Sequence, residues 1–261
     1  MPLSKQRRLE SAVAAIHQRY GAQALRRGAD LGERTVPHIP TGFAALDAIT
    51  GCGGVPLGAL TLLSGRSTSG KLTLAYKLLA NAQRTGNSVQ HTVALFDLNR
   101  TADPDYVHRC GVDLERLWVA RPVAGRQAVN LLGDLVQHGG VRALVVDSLA
   151  DLAAAPHGLR SLHALAPHLS QLLRTHGVAL ILLDEARAPW RRWLNLDASQ
   201  HVRQAAVLHI EMQREEWLRS GGKLVGYRAR AQALKRRGEG GERKATVEIV
   251  FNGTVKARET W

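Results

Sequence analysis

Residues 59–73 read ALTLLSGRSTSGKLT, and this stretch constrains the fold more than any other. The apolar run Ala59–Ser64 reads as a buried strand, and Lys71–Gln83 reads as a helix. Between them, Gly65, Gly70 and Lys71 have the spacing of a loop whose backbone N–H groups turn inward around phosphate oxygens. The helix that follows directs its N-terminus, the positive end of its dipole, at the same place. One position departs from the pattern. The residue after the lysine ordinarily supplies a hydroxyl to Mg²⁺, and here it is Leu72, which cannot ligate a metal. Thr73 stands one residue further along, rotated by about 100° around the helix, and is a poor substitute.

The rest of the chain supplies the sheet that such a loop needs. Strand-like segments at His91–Asp97, Leu117–Ala120, Val141–Asp147 and Val178–Leu183 alternate with helical ones at Pro104–Cys110, Ala128–Gln137 and Leu159–His176. Continuous apolar strands that alternate with helices predict an α/β fold, a mostly parallel sheet covered on both faces. After Ala205 the pattern changes to AVLHIEM, KLVGYRARAQAL and ATVEIVF, which predicts an antiparallel extension at the C-terminal end. At the other end, Leu9, Val13, Ile16 and Tyr20 form one stripe of a helix over residues 5–20, stopped by Gly21 and followed by the polar tether RRGADLGERT. Residues 1–38 therefore read as helix and tether, and residues 39–261 as the core. The stripe must be buried, either on its own core or on a neighbouring subunit.

Lys and Arg number 35 against 22 Asp and Glu, a net charge of +13 that favours a polyanionic partner such as DNA. No apolar run reaches the length of a membrane span, and the basic N-terminus lacks the pattern of a secretory signal, so a soluble cytoplasmic protein is expected. Cys52 and Cys110 lack disulfide or metal-ligand spacing and read as small buried residues. His157, His163, His168 and His176 do not place three rings on one face, which argues against a metal site. An acid at the end of a parallel strand is a different matter. Asp147 closes VRALVVD at the sheet end where ligands collect, where it either holds Mg²⁺ through water or caps the next turn.

In this order, IPTGFAALDAITGCGGVPLGALTLLSGRSTSGK, FDLNRTADPDYVHRCGVDLERLWVARP and ALVVDSLADL resemble the bacterial RecA recombinase family over nearly the whole chain. The resemblance implies a RecA-like phosphate-loop ATPase core with ATP and Mg²⁺ as ligands. Gly65, Ser69, Gly70, Lys71, Leu72, Thr73 and Asp147 match its phosphate and metal site, and Asp103 and Tyr106 its adenine contacts. Lys235 and Arg237 match two cations that the family sends across the subunit interface to the γ-phosphate. The leading helix looks like the one that RecA docks on its neighbour, which implies self-association or docking on RecA.

The departures carry the functional expectation. Asn99 stands where the family has the glutamate that activates water, and an amide orients water but cannot take its proton. Glu185 stands at the family's switch glutamine, where a carboxylate is repelled by a triphosphate unless a cation intervenes. Of the family's two DNA loops, the first, at Asp151–Arg160, is short, and the second, at Ala186–Gln200, interleaves Arg187, Arg191 and Arg192 with Trp190 and Trp193. That mixture suits single-stranded DNA, and it suits a protein interface as well. No counterpart of RecA's C-terminal domain is expected. Two hypotheses follow. One is a non-catalytic or weakly active paralogue, similar to the ImuA type, with vestigial ATP binding, which modulates RecA filaments or assists a Y-family translesion polymerase in the damage-inducible SOS response. The alternative is an ATP-dependent recombinase that forms filaments on single-stranded DNA.

Overall fold

The computed structural model describes residues 5–27, 36–84, 91–123, 125–138, 140–154, 157–185, 200–238, 241–250 and 255–257. The chain divides into two units, residues 1–36 and 37–261. The first carries helix α1, Lys5–Tyr20, which ends at Gly21 (φ +86°), whose N–H closes on the His17 carbonyl at 2.9 Å. His17 and Arg19 occupy its last turn, where cations complement the helix dipole. Within this unit, Leu9 and Tyr20 of the stripe are exposed and Val13 and Ile16 half-buried.

The second unit is built on a nine-stranded sheet. Its elements in chain order are β1 (His38–Ile39), α2 (Ala44–Thr50), β2 (Val55–Pro56), β3 (Ala59–Gly65), α3 (Lys71–Arg84), β4 (Thr92–Asp97) and α4 (Pro104–Arg109). There follow β5 (Leu117–Ala120), α5 (Gly125–His138), β6 (Val141–Asp147), α6 (Leu149–Ala154), α7 (Gly158–His176), β7 (Ala179–Asp184) and α8 (Gln200–Ala205). The chain continues with β8 (Leu208–Ser220), β9 (Lys223–Lys235), β10 (Lys244–Val250) and β11 (Val255–Ala257). Across the large sheet the order is β11-β10-β9-β8-β3-β7-β6-β4-β5, and β1 pairs with β2 apart from it. From β8 to β5 every neighbouring pair is parallel, and from β8 to β11 every pair is antiparallel, which is the predicted mixed architecture.

The parallel strands are buried on both faces because helices cover both. Leu63, Leu95, Val145 and Ile181 point into one cluster with Leu74, Leu78 and Leu79 of α3. Their strand neighbours Leu62, Phe96, Val146 and Leu182 point into the other, with Leu132 of α5, Leu152 of α6, Leu162 and Leu169 of α7, and Val202 of α8. The antiparallel strands alternate instead. Ala229, Ala231 and Ala233 of β9 and Val247 and Ile249 of β10 turn inward, and α2 packs there with Leu46 and Ile49.

Two features depart from the sequence expectation. Asp151–Arg160 is not an open loop, because α6 and α7 take up most of it and leave residues 155–157 between them. The helices meet closely: a Cβ on Gly158 would collide with the Leu152 carbonyl. Strand β8 also runs well past Met212, to a Gly221–Gly222 turn whose φ values of +55° and +77° suit a two-residue hairpin. No helix among the described residues is long and apolar enough to cross a membrane.

Candidate nucleotide site

Strand β3 delivers Gly65 to the carboxyl end of the sheet, and α3 starts at Lys71. The turn between them holds Thr68 at φ +63° and Gly70 at φ +92°. Glycine is needed at both ends of it. A Cβ on Gly70 would strike the Ile249 side chain of β10, and one on Gly65 would meet the Met212 carbonyl of β8 at 2.6 Å. The loop is thus pressed onto the antiparallel extension. Lys71 folds back, its ammonium donating to the Gly65 carbonyl at 2.9 Å and the Arg66 carbonyl at 3.5 Å.

A cavity of about 610 Å³ opens over this loop. Ser69, Gly70, Lys71, Leu72, Thr73, Tyr106 and Asp147, all expected at a nucleotide site, line it together with Asn99 and Glu185. The Ser69 hydroxyl is buried and has no hydrogen-bond partner among the described residues. A donor left in that state is costly unless a ligand satisfies it. With the glycine cradle and the lysine, this fits the phosphates of a nucleotide. For Mg²⁺ the fit is partial: Asp147 is in place, but Leu72 packs against the hydrophobic core, and the Thr73 hydroxyl is taken by the Tyr106 hydroxyl at 2.5 Å.

Asp147 ends β6 beside this loop, and its carboxyl is pushed above the ordinary range. Burial is the main cause; the Lys71 ammonium opposes it, while Asp151 and Asp97 add to it. Asp97, buried at the end of β4, builds the turn that carries Asn99. It accepts from the Thr101 N–H at 2.8 Å and the Ala102 N–H at 3.3 Å and pairs with Arg121 at 2.9 Å. Asn99 is thereby directed at α6, where its amide donates to Asp151 Oδ2 at 2.7 Å. The Ser148 hydroxyl donates to the same oxygen.

Other expected residues lie elsewhere. Asp103 is absent from the cavity lining; it is exposed and caps α4, accepting from the Asp105 N–H at 3.0 Å. Lys235 pairs with His209 near the start of β8, toward the opposite end of the sheet from Gly65, and donates to the Gln204 carbonyl at 2.7 Å. The Arg237 backbone packs against Gly51. Neither lines the cavity of its own chain. Arg187, Trp190, Arg191, Arg192 and Trp193 lie outside the described residues. Among the described residues no group of three or more His, Cys, Asp and Glu is arranged to hold a bare metal ion.

The cavity also contains residues that the sequence reading did not assign to it. Tyr227 of β9 enters it, its hydroxyl pushed up to about 12, chiefly by burial. Trp217 of β8 meets that ring edge-on at 5.8 Å, Arg214 lies over the Trp217 ring at 4.2 Å, and Arg214 donates to the Thr68 hydroxyl at 2.8 Å. The hairpin is strapped to the phosphate loop. Alternation along β9 marks Tyr227 as inward-facing, but only the register with β8 and β10 shows which cavity it enters.

This site sits at the carboxyl edge of a parallel sheet whose strand order and C-terminal extension are now fixed. A model of the RecA N-terminal domain matches residues 7–158. Protein RecA of Amycolatopsis mediterranei is 30% identical over 263 residues, covering 95% of this chain and 74% of that protein. Protein RecA of Aquifex aeolicus is 30% identical over 264 residues, covering 95% and 75%, and that of Acidothermus cellulolyticus is 29% identical over the same coverage. The matched residues include the phosphate loop, the Asn99 turn and the β6 acid, so the similarity extends through the site as well as the core: the chain belongs to the RecA family.

Proposed function

We propose that this protein is a RecA-like DNA recombination and repair protein that holds ATP with a divalent cation, splits it negligibly, and acts by modulating RecA filaments. The observation that carries the reading is Leu72, at the metal-hydroxyl position, where it lines the cavity and packs half-buried against the hydrophobic core. Asn99 supports it, because an amide bonded to Asp151 has no basicity to offer an attacking water. Each loss removes a group that stabilises the transition state, while the groups that cradle phosphate remain. In this reading the adenine stacks on Tyr106, whose ring meets that of Tyr76 edge-on at 6.0 Å.

Helix α1 carries an apolar stripe suited to docking on a second RecA-type subunit, and in this reading Lys235 and Arg237 act on a neighbour's site, since neither lines the cavity of its own chain. A subunit that docks but does not turn over stops filament growth or resists disassembly. Residues 187–193 supply the contact to single-stranded DNA in this reading, and assistance to a translesion polymerase, as in the ImuA type, is its extension. The test is RecA-driven strand exchange with this protein added. At equimolar protein the exchange yield is expected to fall; an unchanged yield contradicts the filament role.

A further inference from the structure

The charged groups that line the cavity are the carboxylates of Asp147, Asp151 and Glu185 and the ammonium of Lys71. A triphosphate adds more negative charge, and in a partly buried site like charges raise one another's cost steeply. Cations must enter with the nucleotide. The position that ordinarily supplies a hydroxyl to hold them carries Leu72, so their ligands have to come from elsewhere.

We propose that Asp147 and Asp151 together take the divalent cation of a metal–nucleotide complex, with Asp151 standing in for the hydroxyl that Leu72 lacks. The inference rests on the reading that this cavity holds a nucleotide. Asp147 ends β6 and Asp151 follows on α6, so both carboxylates face the cavity from one corner of the sheet. Asp151 is also oriented as a ligating carboxylate should be. Both of its donors, Asn99 and Ser148, reach Oδ2, and no hydrogen bond to Oδ1 occurs among the described residues. Donors behind a ligand fix its direction and tune its affinity. Asn99 is then a positioning residue, its amide holding Asp151 Oδ2 from the turn after β4.

The independent sign that an anionic ligand completes this cavity is the phosphate-loop geometry beside the carboxylates, with Gly70 and Lys71 at the N-terminus of the 14-residue helix α3 lining the same cavity. The carboxylates are not by themselves a group that could hold a bare ion. Phosphate oxygens must finish the shell, and an all-oxygen shell suits Mg²⁺ or Mn²⁺. Metal and nucleotide should therefore bind together and not separately.

The test is titration of the full chain with N-methylanthraniloyl-ATP, once in Mg²⁺ and once in EDTA, on the unaltered protein and on Asp151→Ala and Asp151→Asn. The isosteric Asn variant guards against misfolding. The unaltered chain is expected to bind at least roughly tenfold more tightly in Mg²⁺, and both variants to lose that ratio while keeping their affinity in EDTA. With ADP present, Mn²⁺ resonance should show the ion bound to the unaltered chain and released from both variants. Variants that keep the Mg²⁺-to-EDTA ratio overturn the role of Asp151 and leave nucleotide binding standing. An unaltered chain that binds the probe in neither buffer overturns the nucleotide reading itself, and this inference with it.

Discussion

Replacing Leu72 with Thr, Asn99 with Glu and Asp151 with Ala in one chain is expected to raise ATP turnover on single-stranded DNA by at least roughly 100-fold. The first change returns a hydroxyl to the start of α3. Leu72 is only partly buried against the core, so the smaller side chain should cost about 1–2 kcal/mol of stability, which a folded domain of this size tolerates. The second change returns a base to the turn after β4. Alone it should fail, because the Asn99 amide donates to Asp151 at 2.7 Å and a glutamate there would set carboxylate against carboxylate. The third change removes that conflict. Single-turnover hydrolysis of radiolabelled ATP checks the result, with each single variant expected to remain close to the parent. A triple variant as inert as the parent would mean that Leu72 and Asn99 are not what stops the reaction.

The second large effect is on stability. Asp184 ends β7 almost wholly buried, at 1% exposure, and is paired with Arg203 of α8. Removing one partner of such a pair strands a charge away from water, and Arg203→Ala is expected to cost roughly 3–5 kcal/mol. In a urea titration that is a midpoint lower by about 1–2 M. Replacing both partners, Asp184→Leu with Arg203→Met, should recover most of the loss, because an apolar pair needs no compensation. Should Arg203→Ala leave the midpoint unchanged, the ion pair would have to be solvated in solution. The contact joins the strand that leads to Glu185 to helix α8.

The parallel half of the fold was legible because its strands are uninterrupted apolar runs. Leu144–Val146 and Leu180–Leu183 leave no polar face, Leu60–Leu63 is broken only by buried Thr61, and each is followed by a residue of the site or its border. Strand β9 was legible as KLVGYRARAQAL, but the far half of β8 was not. REEWLRS has no alternation of apolar and polar residues because most of these side chains are exposed, so the usual period-two signal is absent. The helix inside the short segment Asp151–Arg160 was missed for a related reason: LADLAA is too short for helical periodicity to register, yet it forms α6. At the site, residues joined by one motif were found together, as Gly65, Gly70 and Lys71 show. Contacts across strands were not: spacing cannot reveal that Asn99 meets Asp151, or that Tyr227 reaches a loop far earlier in the chain. Asp103 illustrates the reverse, a residue matched by its motif whose carboxylate is used locally to start a helix.

The most direct measurement is a paired assay of the unaltered chain, with equilibrium ATP binding and single-turnover ATP hydrolysis both read with and without single-stranded DNA. The account predicts ATP bound in Mg²⁺ and recovered intact, with no acceleration when DNA is added. Hydrolysis that DNA stimulates to the rate of an ordinary RecA would contradict it.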